Sequence, residues 1–305
     1  MSAVVCPKYG PPEVLEIREI ARPVPKDGEI LVRIMATPVN SADVRIRGLV
    51  VAGFMRIVMR LVLGFNKPRN SVLGTVFSGR VEQTGKRVNQ FKVGDEVFGT
   101  TGFQLGANAE YLVVPEKGCV THKPVNASFI EAAALPFGGQ TAIYFLEKAK
   151  IAERSNPRVL IYGATGSVGT AALQIARHYQ ATVTAVCSTS GRSLVEELGV
   201  ADIVLYDQED FTKRPDTFDI IFDAVGKTTK QQCKHLLNPG GRFVTVDGLD
   251  VAAEKKEYLE FLRKLFENNE YDAVIDKVFP LAEVVAAHRY VDTGRKKGNV
   301  VLVVA

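Results

Sequence analysis

A glycine-rich turn between an apolar run and a helical segment carries the clearest chemical signal in the sequence. Residues 158–169 read RVLIYGATGSVG, and TAALQIARHY follows at once. In the GxGxxG pattern that binds a dinucleotide pyrophosphate, the glycines permit a tight turn, close approach of the anion and close helix packing. An alanine takes the first glycine position here, and a purely structural turn is the alternative. The strand before and the helix after favour dinucleotide binding by Gly163, Ala164, Thr165, Gly166, Ser167 and Val168.

The end of the next predicted strand, over 182–187, indicates which dinucleotide binds. An NAD site usually places an Asp or Glu about 20 residues after the turn, on the ribose 2′-hydroxyl. The chain continues STSGRSLV, with no carboxylate before Glu196. Hydroxyls and a guanidinium suit a 2′-phosphate instead, although the arginine as a solvated charge at a helix start is the alternative. We expect NADP(H), bound by Ser188, Ser190, Arg192 and Tyr206.

The elements that must position these residues change character near residue 127. Before it, short apolar runs alternate with Gly and Pro, which predicts a small β-barrel or sandwich. These runs span 29–35, 71–81, 92–98 and 109–114. After it, strands and helices alternate, which predicts a parallel sheet with right-handed crossovers. A helix over 281–293 and a strand over 299–304 resemble the first region, and we expect this tail to rejoin it.

The parallel sheet has five predicted strands, over 158–162, 182–187, 203–206, 218–223 and 241–246. The predicted helices of this region span 128–134, 140–148, 168–179, 193–198, 228–237 and 254–268. Ligands of open α/β sheets bind at the carboxyl ends of the strands. The loops after the fourth and fifth strands therefore add Val225, Gly226, Asp247 and Gly248 to the candidate cofactor site.

Composition and charge exclude several classes of protein. The 305 residues contain 38 Lys and Arg against 34 Asp and Glu, an excess too small to predict nucleic-acid binding. The four cysteines form no CxxC pair, so neither a disulfide framework nor a zinc knuckle is predicted. The N-terminus has no basic start followed by a long apolar run, and a cytoplasmic location is our expectation.

The most apolar stretch spans 48–65 and contains Arg56 and Arg60. A spanning helix needs about 20 mostly apolar residues, and a central Arg disfavours insertion. We therefore expect no transmembrane segment. The stretch predicts an amphipathic helix that covers the core or a cleft, with contact to a membrane surface or a partner as the alternative.

Several motifs together resemble the medium-chain dehydrogenase/reductase superfamily, and within it the zinc-independent, zeta-crystallin-like quinone oxidoreductases. They are the turn GATGSVG, VLGTVFSG over 72–79, FKVGDEVFG over 91–99, NSAD over 40–43, AEYLVVP over 109–115 and VFPLAEVVAAHRYVDTGRKKG over 278–298. The resemblance implies an α/β protein. A GroES-like β-barrel catalytic domain would span 1–122, completed by 270–305. A Rossmann domain with a doubly wound parallel sheet would span 123–269 and bind NADP.

By this resemblance, Asn40 and Asp43 lie at the floor of the cleft between the domains. Asn40 would hold the nicotinamide or polarise the acceptor oxygen. Asp43 would orient Asn40, or only cap the following helix. Thr141 resembles a residue near the nicotinamide ribose. Asn299 replaces the lysine of the family's closing GK motif, which puts one cofactor contact in doubt.

The resemblance also bears on metal and assembly. Zinc-bearing members carry a Cys near Asn40 and a His-Glu pair after a glycine, whereas Gly74 is followed here by Thr75 and Val76. Because the four histidines are also scattered, we expect no metal. The strand that usually joins two subunits is missing after Gly248, so dimerisation by that route is doubtful.

The resemblance implies hydride transfer from NADPH to quinones or similar electron-poor carbonyl compounds. Reduction of the C=C bond of 2-alkenals or enones, with the same fold and cofactor, is the close alternative. A weakly catalytic cofactor-binding protein with a regulatory or membrane-surface role is the alternative of another class.

Overall fold

A computed structural model of the chain describes residues 1–49, 55–248 and 250–304. Its helices are α1 (Ser41–Gly48), α2 (Met55–Leu63), α3 (Phe129–Lys148), α4 (Ser167–His178), α5 (Arg192–Glu197), α6 (Lys230–Cys233), α7 (Lys256–Glu267) and α8 (Val284–Asp292). Its strands are β1 (Ser2–Val5), β2 (Glu16–Glu19), β3 (Glu29–Val39), β4 (Val76–Thr84), β5 (Glu96–Thr100), β6 (Tyr111–Pro115), β7 (Val120–His122), β8 (Arg158–Tyr162), β9 (Thr182–Cys187), β10 (Asp202–Leu205), β11 (Phe218–Asp223), β12 (Leu237–Thr245), β13 (Ile275–Pro280) and β14 (Asn299–Val303).

Two strands from the tail complete the N-terminal sheet. Its order is β13-β14-β3-β4-β5-β7, and β6 pairs with β3. The central strand β3 is buried over most of its length, as its Ile and Val content requires. It extends to Val39, beyond the predicted end at residue 35, because residues 36–39 pair with β14 in the register Ala36–Val303 to Val39–Val300. A local sequence window contains no sign of that distant partner.

The second sheet consists of five parallel strands in the order β10-β9-β8-β11-β12. All five carboxyl ends therefore lie at one edge. Successive strands are added on one side of β8 up to β10 and then on the other side from β11. This switch opens a crevice between β8 and β11 where open α/β sheets bind ligands. The predicted α/β fold, with a GroES-like barrel and a Rossmann sheet, is confirmed.

Helix α3 connects the two sheets and runs unbroken for 20 residues, so the two predicted helical stretches, 128–134 and 140–148, are one helix. Its N-terminus is capped reciprocally by Ser128 and Glu131, and Pro136 lies inside it. A β-carbon on Gly138 would lie 2.3 Å from the Ser167 carbonyl oxygen, so only glycine allows this approach to α4. The core is continuous across the junction, where Phe98, Leu135 and Phe222 belong to one buried cluster.

The predicted helix over 48–65 is not a single helix in the described residues. Gly48 ends α1, and Leu49 turns the chain out of it with a φ of 48°. Helix α2 begins at Met55, while residues 50–54 and the side chain of Arg56 lie outside the described residues. Ile57, Leu61, Val62 and Phe65 are exposed. Within the described ranges, every helix is too short or too polar to cross a membrane.

The connection between β12 and α7 is where related proteins carry a strand that joins two subunits, which the sequence predicts to be missing here. Of residues 246–255, those that the structure describes form no strand. We retain the domain bounds 1–122 with 270–305, and 123–269, as our proposal.

Candidate active site

The glycine turn leaves β8 and closes against two neighbouring strand ends. The amides of Gly163 and Ala164 donate to the Val186 carbonyl of β9 at 3.0 and 3.1 Å. Gly163 has a φ of +79°, and a β-carbon on it would lie 2.5 Å from the side chain of Val225. Val225 follows β11, so this glycine lies at the predicted crevice.

Gly166 and Gly169 differ in how much space surrounds them. A β-carbon on Gly169 would lie 2.1 Å from the Gly163 carbonyl oxygen, so this glycine lets α4 pack on the turn. A β-carbon on Gly166 would meet nothing closer than 3.7 Å, so the space over it is open. In the described part of the chain, no side chain caps the N-terminus of α4. The open cradle and the uncapped amides fit the pyrophosphate of a dinucleotide.

The loop before β14 contacts this turn, which the sequence did not predict. The Gly298 amide donates to the Thr165 carbonyl at 2.7 Å, and the Ser167 hydroxyl donates to the Gly298 carbonyl at 2.8 Å. The Lys296 ammonium donates to the Ser167 hydroxyl at 2.5 Å and to the Gly298 carbonyl at 2.7 Å. Burial lowers the pKa of Lys296 to about 8, against a weaker opposing effect of Asp276.

The polar loop after β9 lies beside both a cation and a carboxylate. The Ser188 and Ser190 hydroxyls are 3.1 Å apart. Arg192 begins α5 and forms an exposed ion pair with Glu196 at 2.8 Å, and its role as a phosphate ligand stays a prediction. The Asp207 carboxylate, from the end of β10, accepts from the Thr189 amide at 2.9 Å. The sequence directly after β9 gives no sign of this carboxylate, because Asp207 follows β10, the neighbouring strand in the sheet.

An aromatic pair follows the same edge of the sheet. Tyr206 lies just beyond the end of β10, which stops at Leu205, and its ring is 6.0 Å from that of Tyr162. Tyr162, Tyr206 and Phe211 line a cavity of about 410 Å³. Its other lining residues are Asp207, Gln208, Glu209 and Asp210. The exposed face of Tyr206 is therefore available to a flat ligand at the ends of β8 and β10.

A buried carboxylate shapes the two loops across the crevice. Asp223, at the end of β11, is fully buried and accepts from the amides of Val225, Gly226 and Thr228 at 2.9–3.1 Å. Gly226 adopts a φ of +70°, and a β-carbon on it would lie 3.0 Å from Asp247. The loops 224–226 and 246–248 are therefore neighbours. Asp223 was not a sequence candidate, although an Asp that ends a buried strand is a recognisable signal.

The two predicted catalytic residues form a helix cap. The Asn40 side chain accepts from the amides of Ala42 and Asp43, and the Asp43 carboxylate accepts from the Asn40 amide at 2.9 Å. Both are almost fully buried. Burial raises the pKa of Asp43 to about 7. Asn40 also donates from Nδ2 to the Thr75 hydroxyl at 2.9 Å. The cap explains both side chains structurally, and their catalytic role stays a prediction.

Two further candidates have local partners. The Thr141 hydroxyl donates to the Phe137 carbonyl one turn earlier in α3, at 2.7 Å. Asn299 donates from its side chain to the Val274 carbonyl at 3.1 Å. Asn299 therefore ties β14 to the preceding segment, while Lys296 of the same loop reaches the phosphate turn.

The positions where a zinc site was considered do come together. Asn40 and Thr75 are hydrogen-bonded, but they present an amide and a hydroxyl. Throughout the part of the chain that the structure describes, no three His, Cys, Asp or Glu side chains are grouped to hold a metal ion.

Family models and known proteins match this chain over most of its length. A family model described as an alcohol dehydrogenase GroES-like domain matches residues 26–124, and two described as zinc-binding dehydrogenase match 167–261 and 248–302. A 2-methylene-furan-3-one reductase from Solanum lycopersicum is 33% identical over 317 residues, covering 96% of this chain and 76% of the relative. The chain belongs to the medium-chain dehydrogenase/reductase superfamily, in its zeta-crystallin-like branch.

Other members of the superfamily are similar over almost the whole chain. An NADPH-dependent alkenal/one oxidoreductase, named as chloroplastic, from Arabidopsis thaliana is 29% identical and covers 99% of this chain and 79% of the relative. The solved quinone oxidoreductase from Coxiella burnetii matches with a TM-score of 0.83 at 26% identity, over 100% and 99% of the two chains. The protein is an NAD(P)H-dependent oxidoreductase with a small-molecule acceptor. Its cytoplasmic location stays a prediction.

Proposed function

We propose that this protein is an NADPH-dependent, zinc-free reductase of the C=C bond of enones and 2-alkenals. The open cradle over Gly166, at the uncapped start of α4, is the observation that carries cofactor binding. The activities for which the two relatives above are named, reduction of a furanone and of alkenals and enones, favour this acceptor class. Quinones, the class that the family resemblance favoured first, become the second candidate, supported by the Coxiella structure.

The cofactor would lie along the carboxyl edge of the second sheet. The α4 amides would hold its pyrophosphate, and Tyr206 and the loop 188–192 would hold its adenosine end. Val225, Gly226, Asp247 and Gly248 border the crevice on the nicotinamide side, where Thr141 is the α3 candidate. When bound, NADPH supplies the hydride. The protein's task is then to position the acceptor and exclude water.

The zinc-free proposal rests on the types of donor at the cleft floor. An amide and a hydroxyl stand at Asn40 and Thr75, where zinc-bearing relatives carry ligands, and neither is a typical zinc ligand. An acceptor activated by conjugation needs no Lewis acid. With NADPH bound, hydride would add to the β-carbon and the C=C electron pair would move to the carbonyl oxygen as an enolate, and a proton from solvent would then add to the α-carbon to give the saturated ketone or aldehyde. Asn40 makes one hydrogen bond from Nδ2, which leaves its second amide hydrogen as a candidate donor to that oxygen.

The test measures NADPH oxidation with a panel of 2-alkenals, enones and quinones, using protein whose metal content has been determined. We expect turnover with enones and alkenals, formation of the saturated product, and no stoichiometric zinc. Turnover of quinones alone would move the assignment to the second candidate. Failure with every acceptor would favour the weakly catalytic alternative.

Two variants that each remove a helix N-cap test whether Asn40 has a catalytic role. Asn40→Ala removes the cap of α1, and Ser128→Ala removes a comparable cap of α3. Each change should cost about 1 kcal/mol of stability. We expect only Asn40→Ala to lower kcat, since Ser128 lies on an exposed turn. Equal activity of the two variants would leave Asn40 with its structural role alone.

A further inference from the structure

The loop between α8 and β14 carries two adjacent lysines that reach different parts of the cofactor edge. Lys296 contacts Ser167 at the start of α4. Lys297 extends the other way, and its ammonium donates to the Ser190 carbonyl in the loop after β9. The loop between α8 and β14 therefore places one cation at the pyrophosphate turn and a second cation at the loop after β9, where the adenosine ribose is expected.

The backbone around Lys297 is held firmly. Its amide donates to the Asp276 carboxylate at 2.9 Å, and the Tyr290 hydroxyl donates to the same oxygen at 2.8 Å. The next residue, Gly298, donates to the Thr165 carbonyl at 2.7 Å. The backbone of Lys297 is thus held by hydrogen bonds at its own amide and at the next amide, and these bonds fix where the lysine lies relative to the glycine turn.

The Lys297 ammonium has no carboxylate within 4.0 Å among the described residues. Arg192, the other cation at this loop, is held only by an exposed ion pair with Glu196, a kind of contact that contributes little. Burial and the Asp207 carboxylate raise the pKa of the Cys187 thiol to about 11, and Arg192 and Lys297 oppose that rise. Both cations therefore act at the end of β9, where Lys297 contacts the Ser190 carbonyl and the Asp207 carboxylate is already engaged by the Thr189 amide.

We propose that Lys297 binds the 2′-phosphate of NADP(H), together with Arg192, and that it determines the preference for NADPH over NADH. The inference rests on the proposed function. A phosphate dianion replaces the neutral carbonyl partner of Lys297 with a partner of opposite charge, and a hydrogen bond in which both groups are charged is the stronger one. NADH has a hydroxyl at that position and gains nothing comparable. The specificity determinant would then come from the far end of the chain as well as from the loop after β9.

The experiment measures binding of NADPH, NADH, 2′,5′-ADP and 5′-AMP to the intact protein and to Lys297→Gln and Lys297→Arg. We expect the intact protein to bind NADPH at least tenfold more tightly than NADH. Lys297→Gln should weaken NADPH and 2′,5′-ADP about tenfold and leave NADH and 5′-AMP within about twofold. Lys297→Arg should restore most of the loss. With NADPH, KM should rise while kcat stays nearly constant.

Lys296→Gln is the matched control, because its ammonium lies at the pyrophosphate turn and should affect both cofactors alike. If Lys297→Gln weakens NADPH and NADH equally, or neither, the proposal for Lys297 is wrong while the proposed function stands. If the intact protein binds both cofactors with equal affinity, the proposal for Lys297 and the NADPH preference of the proposed function both fail, while its reductase activity remains to be judged from the acceptor panel. If the intact protein binds neither cofactor, the proposed function itself fails.

Discussion

Replacing Lys296 with methionine should stabilise the cofactor-free protein at neutral pH. The lysine holds its charge at the positive end of α4, with a hydroxyl and a carbonyl as its hydrogen-bond partners. Its pKa falls from the ordinary 10.5 to about 8, with burial as the main cause. The protein therefore carries a cation in a position that favours the neutral form.

The difference of about 2.5 between these pKa values corresponds to about 3 kcal/mol of free energy, at about 1.4 kcal/mol for each. Methionine also loses the hydrogen bonds, which costs about 1 kcal/mol. The Gly298 carbonyl still accepts from Ser167, so no buried acceptor is left unpaired. The net gain is about 2 kcal/mol, which raises Tm by about 3 °C in a chain of this size.

The stability gained by Lys296→Met should also depend on pH, which is a second test of its electrostatic cause. A base whose folded pKa is depressed destabilises the folded state fully below that value, and the penalty disappears as the pH rises to the unfolded value. The advantage of Lys296→Met should therefore be complete at pH 7 and shrink between about pH 8 and 10.5. Thermal unfolding of cofactor-free protein at pH 7 and pH 9.5 measures both. NADPH should raise the Tm of the intact protein more than that of the variant.

Lys264→Met is the control, because Lys264 is exposed on α7 and its replacement should change stability by less than about 0.5 kcal/mol. The reasoning is refuted if Lys296→Met unfolds at the same or a lower temperature than the intact protein at pH 7. A gain that stays constant up to pH 10 would refute the electrostatic cause.

Further expectations concern the turn, a loop and a buried histidine. Gly166→Ala should keep the Tm and weaken NADPH binding, whereas Gly169→Ala should lower Tm by overpacking, about 1–3 kcal/mol, as thermal unfolding and cofactor titration will show. Asp223→Ala leaves three loop amides without their acceptor and should cost about 3 kcal/mol in urea unfolding. Burial and Arg47 lower the pKa of His288 to about 3. The folded state thus loses stability as the pH falls below 6.5, and His288→Asn should remove about 3 kcal/mol of that loss at pH 4.5, measured by denaturant titration.

The sequence was most informative where structure is local. The strands 158–162, 182–187 and 218–223 were predicted with their observed bounds, because each is an apolar run that ends at a turn signal. The glycine turn was readable for the same reason, since its glycines act on atoms only a few residues away. The cap formed by Asn40 and Asp43 is also local, and the spacing of an N-cap residue and an acid three positions later is its signal.

Contacts between distant segments could not be found this way. The extension of β3 to Val39 depends on β14, and the polar environment of the phosphate turn depends on Lys296 and Lys297. Asp207 reaches the loop after β9 from a neighbouring strand. Each of these contacts is set by sheet order and register, which are properties of the whole fold and leave no pattern in a short window.

The pairing of β14 with β3 also has a consequence for how the protein matures during synthesis. Residues 36–39 lie directly before the Asn40 cap and acquire their strand partner only when residues 300–303 have emerged from the ribosome. The second sheet, whose strands all lie between residues 158 and 245, can assemble earlier. The second sheet can then be folded while the first sheet still lacks β14, and the unpaired edge of β3 is a temporary site for misassociation. Completion of the first sheet thus waits for residues 300–303, which are synthesised after every strand of the second sheet.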